Sequence, residues 1–240
     1  MYENLDCIAL RTVRYSDRHN ILTAYSRQRG KVVMTLPAGG GKPAARARAL
    51  TQPLSVFQCV ADVRPGREIM QVRDIRHAGI SPLEGAVRST LGLFIADMLA
   101  ALLREPQCDE ALFDYVVYME RYISAVSGTA LANAHICFLL HLQHFMGIEP
   151  DWGTYAPGHV FDMSDGIFRM SPPIHGNWLP SGEAAAAWRL RRMNPRTSAL
   201  FAMSHSERNL ILDRLIRYYH IHFPGLSSVS SLEVLRSIFG

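Results

Sequence analysis

The chain has 240 residues, a formal charge of +4 and hydrophobic residues at 48% of its positions. That hydrophobic content is enough for a buried core, which argues against a disordered chain. The first twelve residues, MYENLDCIALRT, contain acids and lack the apolar run of a signal peptide. The longest apolar run, residues 91–103, is interrupted by Asp97 and is too short to span a bilayer. We therefore expect a cytoplasmic protein with no membrane segment.

The charge is distributed unevenly along the chain. Residues 1–77 contain 13 Lys and Arg against 6 Asp and Glu, whereas the remainder contains 12 against 15. This asymmetry predicts a basic N-terminal module joined to a nearly neutral one. A polyanion is the natural partner of the basic module.

Residues 4–77 have the pattern of a small β-barrel. Five short runs have strand character through alternation or β-forming residues, at residues 7–13, 20–26, 31–36, 54–63 and 68–75. Five strands with turn signals between them and no strong helix predict a closed barrel. An OB-fold is the favoured five-stranded barrel, and an SH3-like barrel is the alternative.

A glycine-rich basic segment follows the third predicted strand. Gly39, Gly40 and Gly41 precede Lys42, and no acid occurs between Asp17 and Asp62. Glycines allow a backbone to approach a ligand closely, and basic side chains on a loop suit a phosphate chain. The segment is therefore predicted to be a phosphate-binding loop, with a mobile, solvated surface loop as the alternative.

The second predicted domain is helical. Apolar residues recur at helical spacing in several stretches, over about 82–104, 110–126, 129–146, 183–193, 204–222 and a short segment after Ser230. Three capping boxes are predicted at helix starts, namely Ser81 with Glu84, Ser204 with Glu207, and Ser230 with Glu233. The Asp165–Gly166 pair predicts a β-hairpin over residues 159–170. The expected architecture is α+β, with a barrel domain at 1–79 and a helical domain at 80–240 that carries the hairpin.

No catalytic pattern is present. His141 and His144 have metal-ligand spacing, but no HExxH motif and no neighbouring cysteine or acid completes a site. The four cysteines, Cys7, Cys59, Cys108 and Cys137, are dispersed, form no CxxC pair and are expected to be buried free thiols. We expect no enzyme, no cofactor and no metal. A metal-dependent hydrolase that uses the two histidines is the alternative from another functional class.

A second basic group lies in the helical domain. Arg189, Arg191, Arg192 and Arg196 fall within eight residues, which is more than a helix C-terminus requires. This group is a second candidate phosphate contact.

Several segments resemble one family. Gly30-Lys31-Val32, Gln52-Pro53-Leu54 and the C-terminal stretch YYHIHFPGLSSVSSLEVLRSI are similar to segments of the bacterial recombination mediator family RecO. The resemblance extends in element order over nearly the whole chain. It implies an N-terminal OB-fold, a helical domain, binding of single- and double-stranded DNA, and annealing of complementary strands. It also implies partnership with RecR and with single-stranded-DNA-binding protein in loading the recombinase RecA.

The chain departs from that family in two places. Many relatives hold zinc through four cysteines near the hairpin, whereas no cysteine follows Cys137 here, so zinc is expected to be absent. The third strand of the family often ends in a Lys-Gly-Ala-Arg type of sequence, which is Pro37-Ala38-Gly39-Gly40 here and has less positive charge.

Together these features predict a non-enzymatic DNA-binding mediator with weak sequence preference. The predicted phosphate contacts are Arg27, Arg29, Lys31, Lys42, Arg46 and Arg48, with Arg11 and Arg14 at the rim. An RNA-binding OB-fold protein is a further alternative. The helical domain, rather than the barrel, is expected to bind the acidic and apolar C-terminal tail of single-stranded-DNA-binding protein, with an arginine receiving the terminal carboxylate.

Overall fold

A computed structural model describes residues 1–103, 107–226 and 229–238. Internal contacts divide the chain into two compact units. The first comprises Met1–Ala125 and a terminal helix, and the second begins at Val126. Within the described ranges, no helix combines the length and the apolar character needed to cross a membrane.

The first unit contains a closed five-stranded barrel. Its strands are β1 (Tyr2–Arg14), β2 (His19–Ser26), β3 (Gly30–Pro37), β4 (Val56–Asp62) and β5 (Ile69–His77). The order around the barrel is β1-β2-β3-β5-β4, and β4 pairs with β1 to close it. Within the barrel, β3 and β5 pair in parallel and the other neighbouring strands pair antiparallel. This OB-like barrel confirms the predicted fold class.

Alternation along the strands produces the barrel core. In β3, Val32, Met34 and Leu36 are buried while the residues between them are partly exposed. These side chains pack with inward residues of the other strands, including Phe57 and Cys59.

The prediction of a basic loop at residues 42–50 is wrong, because these residues form helix α1 (Lys42–Leu50). The sequence KPAARARAL is rich in alanine and arginine, which have high helix propensity. Gly41 is the N-cap residue, and Pro43 lies in the first turn, where its missing N–H costs nothing. Ala44 and Ala47 are buried, and Ala47 packs into the barrel core.

Three further helices belong to the first unit: α2 (Ala86–Leu102), α3 (Glu110–Ala125) and α8 (Ser231–Ile238). The capping box predicted at Ser81 and Glu84 is absent, because α2 starts after Gly85, whose φ is 84°. Two groups at the start of α8, the Ser230 hydroxyl and the Ser231 amide, donate to the Asp97 carboxylate at 3.1 and 3.2 Å. The predicted domain boundary near residue 79 stays a prediction, and α2 and α3 share a compact unit with the barrel.

The second unit contains α4 (Gly128–Ala132), α5 (Ala134–Phe145), α6 (Ser181–Leu190) and α7 (His205–His222). The single helix predicted over 129–146 is interrupted at Asn133, whose buried amide donates to the carbonyls of Ser198 and Phe201 at 2.9 Å each. The capping box of Ser204 and Glu207 is confirmed at the start of α7.

The predicted hairpin is also confirmed. Strands β6 (Val160–Asp162) and β7 (Ile167–Arg169) pair antiparallel, and β8 (Trp178–Leu179) adds a third strand beside β6. The buried Asp162 carboxylate accepts hydrogen bonds from the Ser164 and Asp165 amides and pairs with Arg169 at 3.0 Å. These contacts close the hairpin turn.

Replacing Gly30, the first residue of β3, tests how tightly the barrel packs there. Its φ is +65°, and a Cβ added there would lie 2.3 Å from the carbonyl oxygen of Gln107. Gly66 has a φ of +76° with nothing within 4 Å, and Gly40 also has open space around it without a positive φ. The three glycines therefore separate backbone strain from steric overlap.

We expect Gly30→Ala to lower the free energy of unfolding by roughly 2–5 kcal/mol, because left-handed strain and overpacking add together. Gly66→Ala should lower the free energy of unfolding by about 1 kcal/mol through strain alone, and Gly40→Ala should change it little. Urea unfolding followed by circular dichroism measures all three. An equal decrease in the free energy of unfolding for Gly30→Ala and Gly66→Ala would show that the backbone at Gln107 moves at little cost to accommodate the added methyl group.

The buried carboxyl of Glu120 in α3 should make stability depend on pH. Its residue surface is only 1% exposed, and its Oε2 has no hydrogen-bond partner among the described residues. Burial raises the pKa of this carboxyl from 4.5 to about 7, although nearby Arg121 opposes the shift. The folded protein therefore keeps a proton on Glu120 that the unfolded chain loses above pH 4.5.

Stability should consequently fall as pH rises from about 4.5 to 7, by ~2–3 kcal/mol in total. Glu120→Gln should remove most of this dependence, whereas Glu68→Gln, which changes an exposed acid, should retain it. Urea unfolding at pH 5 and pH 8 measures the difference. A Glu120→Gln variant with the same pH dependence as the parent would contradict the assignment.

Candidate nucleic-acid interface

The exposed face of α1 carries two cations at fixed spacing. Lys42 and Arg46 lie four residues apart and are exposed, while Ala44 and Ala47 anchor the opposite face. Side chains at this spacing have Cβ atoms about 5–6 Å apart on one side of a helix. The helix therefore holds two positive charges side by side.

A groove between α1 and β5 extends this basic face. Its lining residues are Pro37, Lys42, Pro43, Arg46, Ala47, Val72, Arg73, Asp74 and Ile75. Asp74 is the acid among them, and Arg76 pairs with it at 2.7 Å. Three cations thus line the groove, while its acid is neutralised by an arginine of the same strand.

Arg73 is a groove residue that was not among the contacts predicted from the sequence. Its guanidinium lies 4.3 Å from the ring centroid of Tyr2, which is 47% exposed. The register of β4 and β5 shifts between Val60 and Ala61, so Arg73 falls at a β-bulge. Its position beside α1 depends on the parallel pairing of β3 with β5, which the sequence alone does not reveal.

Three other predicted contacts are exposed at the surface of the barrel. Arg48 is exposed, and its Nη1 donates to the carbonyl of Gly39 at 2.7 Å, which ties the glycine segment to α1. Arg11 is exposed on β1. Arg14 pairs with Asp17 at 2.6 Å, and both side chains are largely exposed.

The three predicted contacts around the β2–β3 turn bind partners inside the first unit. Arg29 donates from Nε and Nη2 to the two oxygens of Glu3, at 2.7 and 2.6 Å. The Lys31 ammonium donates to the Ala100 and Leu103 carbonyls at 2.9 and 2.5 Å, and burial lowers its pKa.

Arg27 has the most partners of this group. It pairs with Asp114, lies 3.6 Å from Glu110 and places its guanidinium 4.6 Å from the Phe113 ring centroid. The Asp114 hydrogen bond is the main cause of a raised Arg27 pKa and a lowered Asp114 pKa. The structure therefore separates cations that stabilise the first unit from cations that remain exposed.

The second basic group lies at the end of α6. Arg189, Arg192 and Arg196 are exposed, whereas Arg191 is half-buried. Arg191 donates from Nη1 to the carbonyl of Trp188 at 2.9 Å and stacks on its ring. Three of the four predicted residues are therefore open to solvent, and the fourth is held in place.

The second unit also contains an apolar pocket of about 100 Å³. Its lining is formed mainly by side chains of α5, α6, α7 and the small sheet, including Leu140, Trp152, Phe161, Leu179, Leu190, Leu210, Leu215 and Tyr218. Arg214 lies in the lining, and it donates to Glu183 from Nε and Nη2 at 2.7 and 3.2 Å.

The candidate metal histidines have separate partners. His141 pairs with the carbonyl of Cys137 at 3.1 Å, and His144 pairs with Glu149 at 2.9 Å. In the part of the chain that the structure describes, no three His, Cys, Asp or Glu side chains form a group that could hold a metal ion. All four cysteines are free, and the prediction that they are buried is wrong for Cys108, which is exposed in the connection before α3.

Comparisons with known proteins agree with this architecture. The family model "Recombination protein O N terminal" matches residues 1–79, and "Recombination protein O C terminal" matches residues 84–228. The chain is 31% identical over 238 residues to DNA repair protein RecO of Phocaeicola vulgatus. It is 29% identical over 237 residues to the protein of that name from Bacteroides fragilis and over 241 residues to that from Porphyromonas gingivalis. Each match covers 97% of both chains. The chain therefore belongs to the recombination protein O (RecO) family.

Proposed function

We propose that this protein is a non-enzymatic DNA-binding mediator in DNA repair and recombination. Family membership and relatives named DNA repair protein RecO support the role. The observation that carries the proposal is the groove between α1 and β5, with Lys42, Arg46 and Arg73 along it.

The groove suits the phosphate backbone of DNA. Neighbouring cations on a rigid helix can contact neighbouring phosphates of one strand, and each contact releases counterions on binding. Phosphate contacts carry no base information, so binding should depend little on sequence. Arg48, Arg11 and Arg14 extend the contact as rim residues. The proposal does not rely on Arg27, Arg29 or Lys31, whose charged groups have partners inside the first unit.

The same electrostatics supports annealing of complementary strands. Two single strands repel each other, and a cationic surface that neutralises their phosphates lowers that repulsion. The family resemblance adds binding of single- and double-stranded DNA and cooperation with RecR and single-stranded-DNA-binding protein in loading RecA. These partners are part of the proposal.

The apolar pocket of the second unit is the proposed site for the tail of single-stranded-DNA-binding protein. Its apolar lining suits the apolar residues of that tail, and Arg214 is the cation in the lining that can receive a terminal carboxylate. Glu183 already occupies the Arg214 guanidinium, so the tail must compete with this internal carboxylate.

This competition gives a test with opposite outcomes for two variants. Arg214→Met should weaken binding of a synthetic tail peptide, while Glu183→Gln should strengthen it because the competing charge is removed. Fluorescence anisotropy of a labelled peptide measures both, with melting temperatures as the control for folding. Weaker binding by both variants, or no effect of either, would place the tail elsewhere.

The groove is tested through the salt dependence of DNA binding. Changing Lys42 and Arg46 to Ala should lower the slope of log affinity against log salt by about 1.5, and adding Arg73→Ala should bring the reduction to roughly 2 to 2.5. A matched pair of exposed arginines outside the groove, Arg67 and Arg121, should leave the slope unchanged when replaced by Ala. Anisotropy titrations of one oligonucleotide across a salt series measure these slopes.

Thermal stability should change little in the groove variants, because exposed charges contribute little to folding. An unchanged slope in a folded groove variant would mean that α1 is only solvated surface. Tighter binding of RNA than of DNA of the same sequence at matched salt would instead support the RNA-binding alternative.

A further inference from the structure

In the second unit, two stacked aromatic rings have an arginine over one of them. The rings of Tyr155 and Trp188 lie 4.6 Å apart at an interplanar angle of 20°. The Arg191 guanidinium carbon lies 3.8 Å from the Trp188 ring centroid, and the hydrogen bond to the Trp188 carbonyl fixes the arginine. Arg191 is half-buried, so the stack reaches the surface.

The chain segment that carries Trp188 and Arg191 has positive charge only. No Asp or Glu occurs between Glu183 and Glu207 in the sequence, and Arg189 and Arg192 are exposed beside the stack. The Arg192 guanidinium carbon lies 5.8 Å from the Trp188 ring centroid. Two solvent-exposed cations, Arg189 and Arg192, therefore lie within two residues of Arg191 in the chain.

A cation–π pair that only stabilises the fold requires one arginine on the ring. Here Arg189 and Arg192 are added next to the stack in the chain, and like charges so close together repel one another. They are more cations than the C-terminus of a helix requires. An anionic ligand with flat groups would relieve this repulsion and extend the stack. Unpaired nucleobases stack on arginine guanidinium planes as well as on aromatic rings.

We propose that the Tyr155–Trp188–Arg191 stack is a subsite for single-stranded nucleic acid. One base stacks on the outer face of the Arg191 guanidinium, while Arg189 and Arg192 contact the flanking phosphates. The subsite rests on the proposed DNA-binding function and adds a site that contacts bases. It requires single strands because the bases of a duplex are already stacked and paired.

The test uses the full chain with Lys42, Arg46 and Arg73 changed to Ala, called the groove variant, so that the remaining binding reports the second unit. The probes are a labelled thymidine oligonucleotide and an abasic oligonucleotide of equal length. The groove variant should still bind the thymidine probe, more weakly than the parent. Adding Arg191→Lys keeps the charge but removes the planar group, and should weaken thymidine binding about five- to hundred-fold.

Binding of the abasic probe should stay within about two-fold, because its contacts are electrostatic. Arg121→Lys in the same background is the matched control and should affect neither probe. Equal weakening of both probes by Arg191→Lys would overturn the stacking role. If the parent binds the thymidine probe and the groove variant does not, the subsite is overturned and the proposed function stands. Failure of the parent to bind would overturn the proposed function and the subsite together.

Discussion

The Lys31 ammonium joins the barrel to α2, because it donates to the carbonyl of Ala100 in the last turn and to that of the C-cap residue Leu103. Carbonyls at the C-terminus of a helix generally lack partners within the helix, so a cation there satisfies them and suits the helix dipole. The position of the ammonium depends on the turn before it, where Gly30 has a positive φ and lies against the backbone of Gln107. The same turn directs Arg27 to Asp114 and Arg29 to Glu3. Its positive charge is therefore used in the fold, and the charge that remains for a ligand lies on α1 and β5.

A helix at residues 42–50 serves an extended ligand better than a flexible loop would. Lys42 and Arg46 are already ordered on one face, so binding loses less conformational entropy than it would if a loop had to be ordered. The short glycine segment still turns the chain from β3 into α1, and the Arg48 hydrogen bond to Gly39 limits its freedom. The basic character recognised in the sequence is thus retained, while its geometry is set by the alanines that anchor the helix.

Several local signals in the sequence predicted the structure correctly. The β-forming runs predicted the barrel strands, the Asp165–Gly166 pair predicted the hairpin, and Ser204 with Glu207 predicted the start of α7, whereas the capping box at Ser81 did not form. It failed at α1, where three glycines and a proline outweighed the helix-forming run that follows them. It also could not assign the arginines to roles, because Arg29 finds Glu3 26 positions away and Arg27 finds Asp114 87 positions away. Such pairs follow from strand register and helix packing, which no short window of sequence contains.

The two basic regions differ in the chemistry that they offer to a nucleic acid. The residues that line the groove between α1 and β5 include three cations and no aromatic ring, and Arg73 lies over the ring of Tyr2. Such a surface contacts phosphates, which single strands and duplexes both present. The stack in the second unit presents a planar guanidinium on a tryptophan, and only an unpaired base can extend it. A preference for single strands would therefore arise in the second unit, whereas affinity for DNA in general would arise in the first.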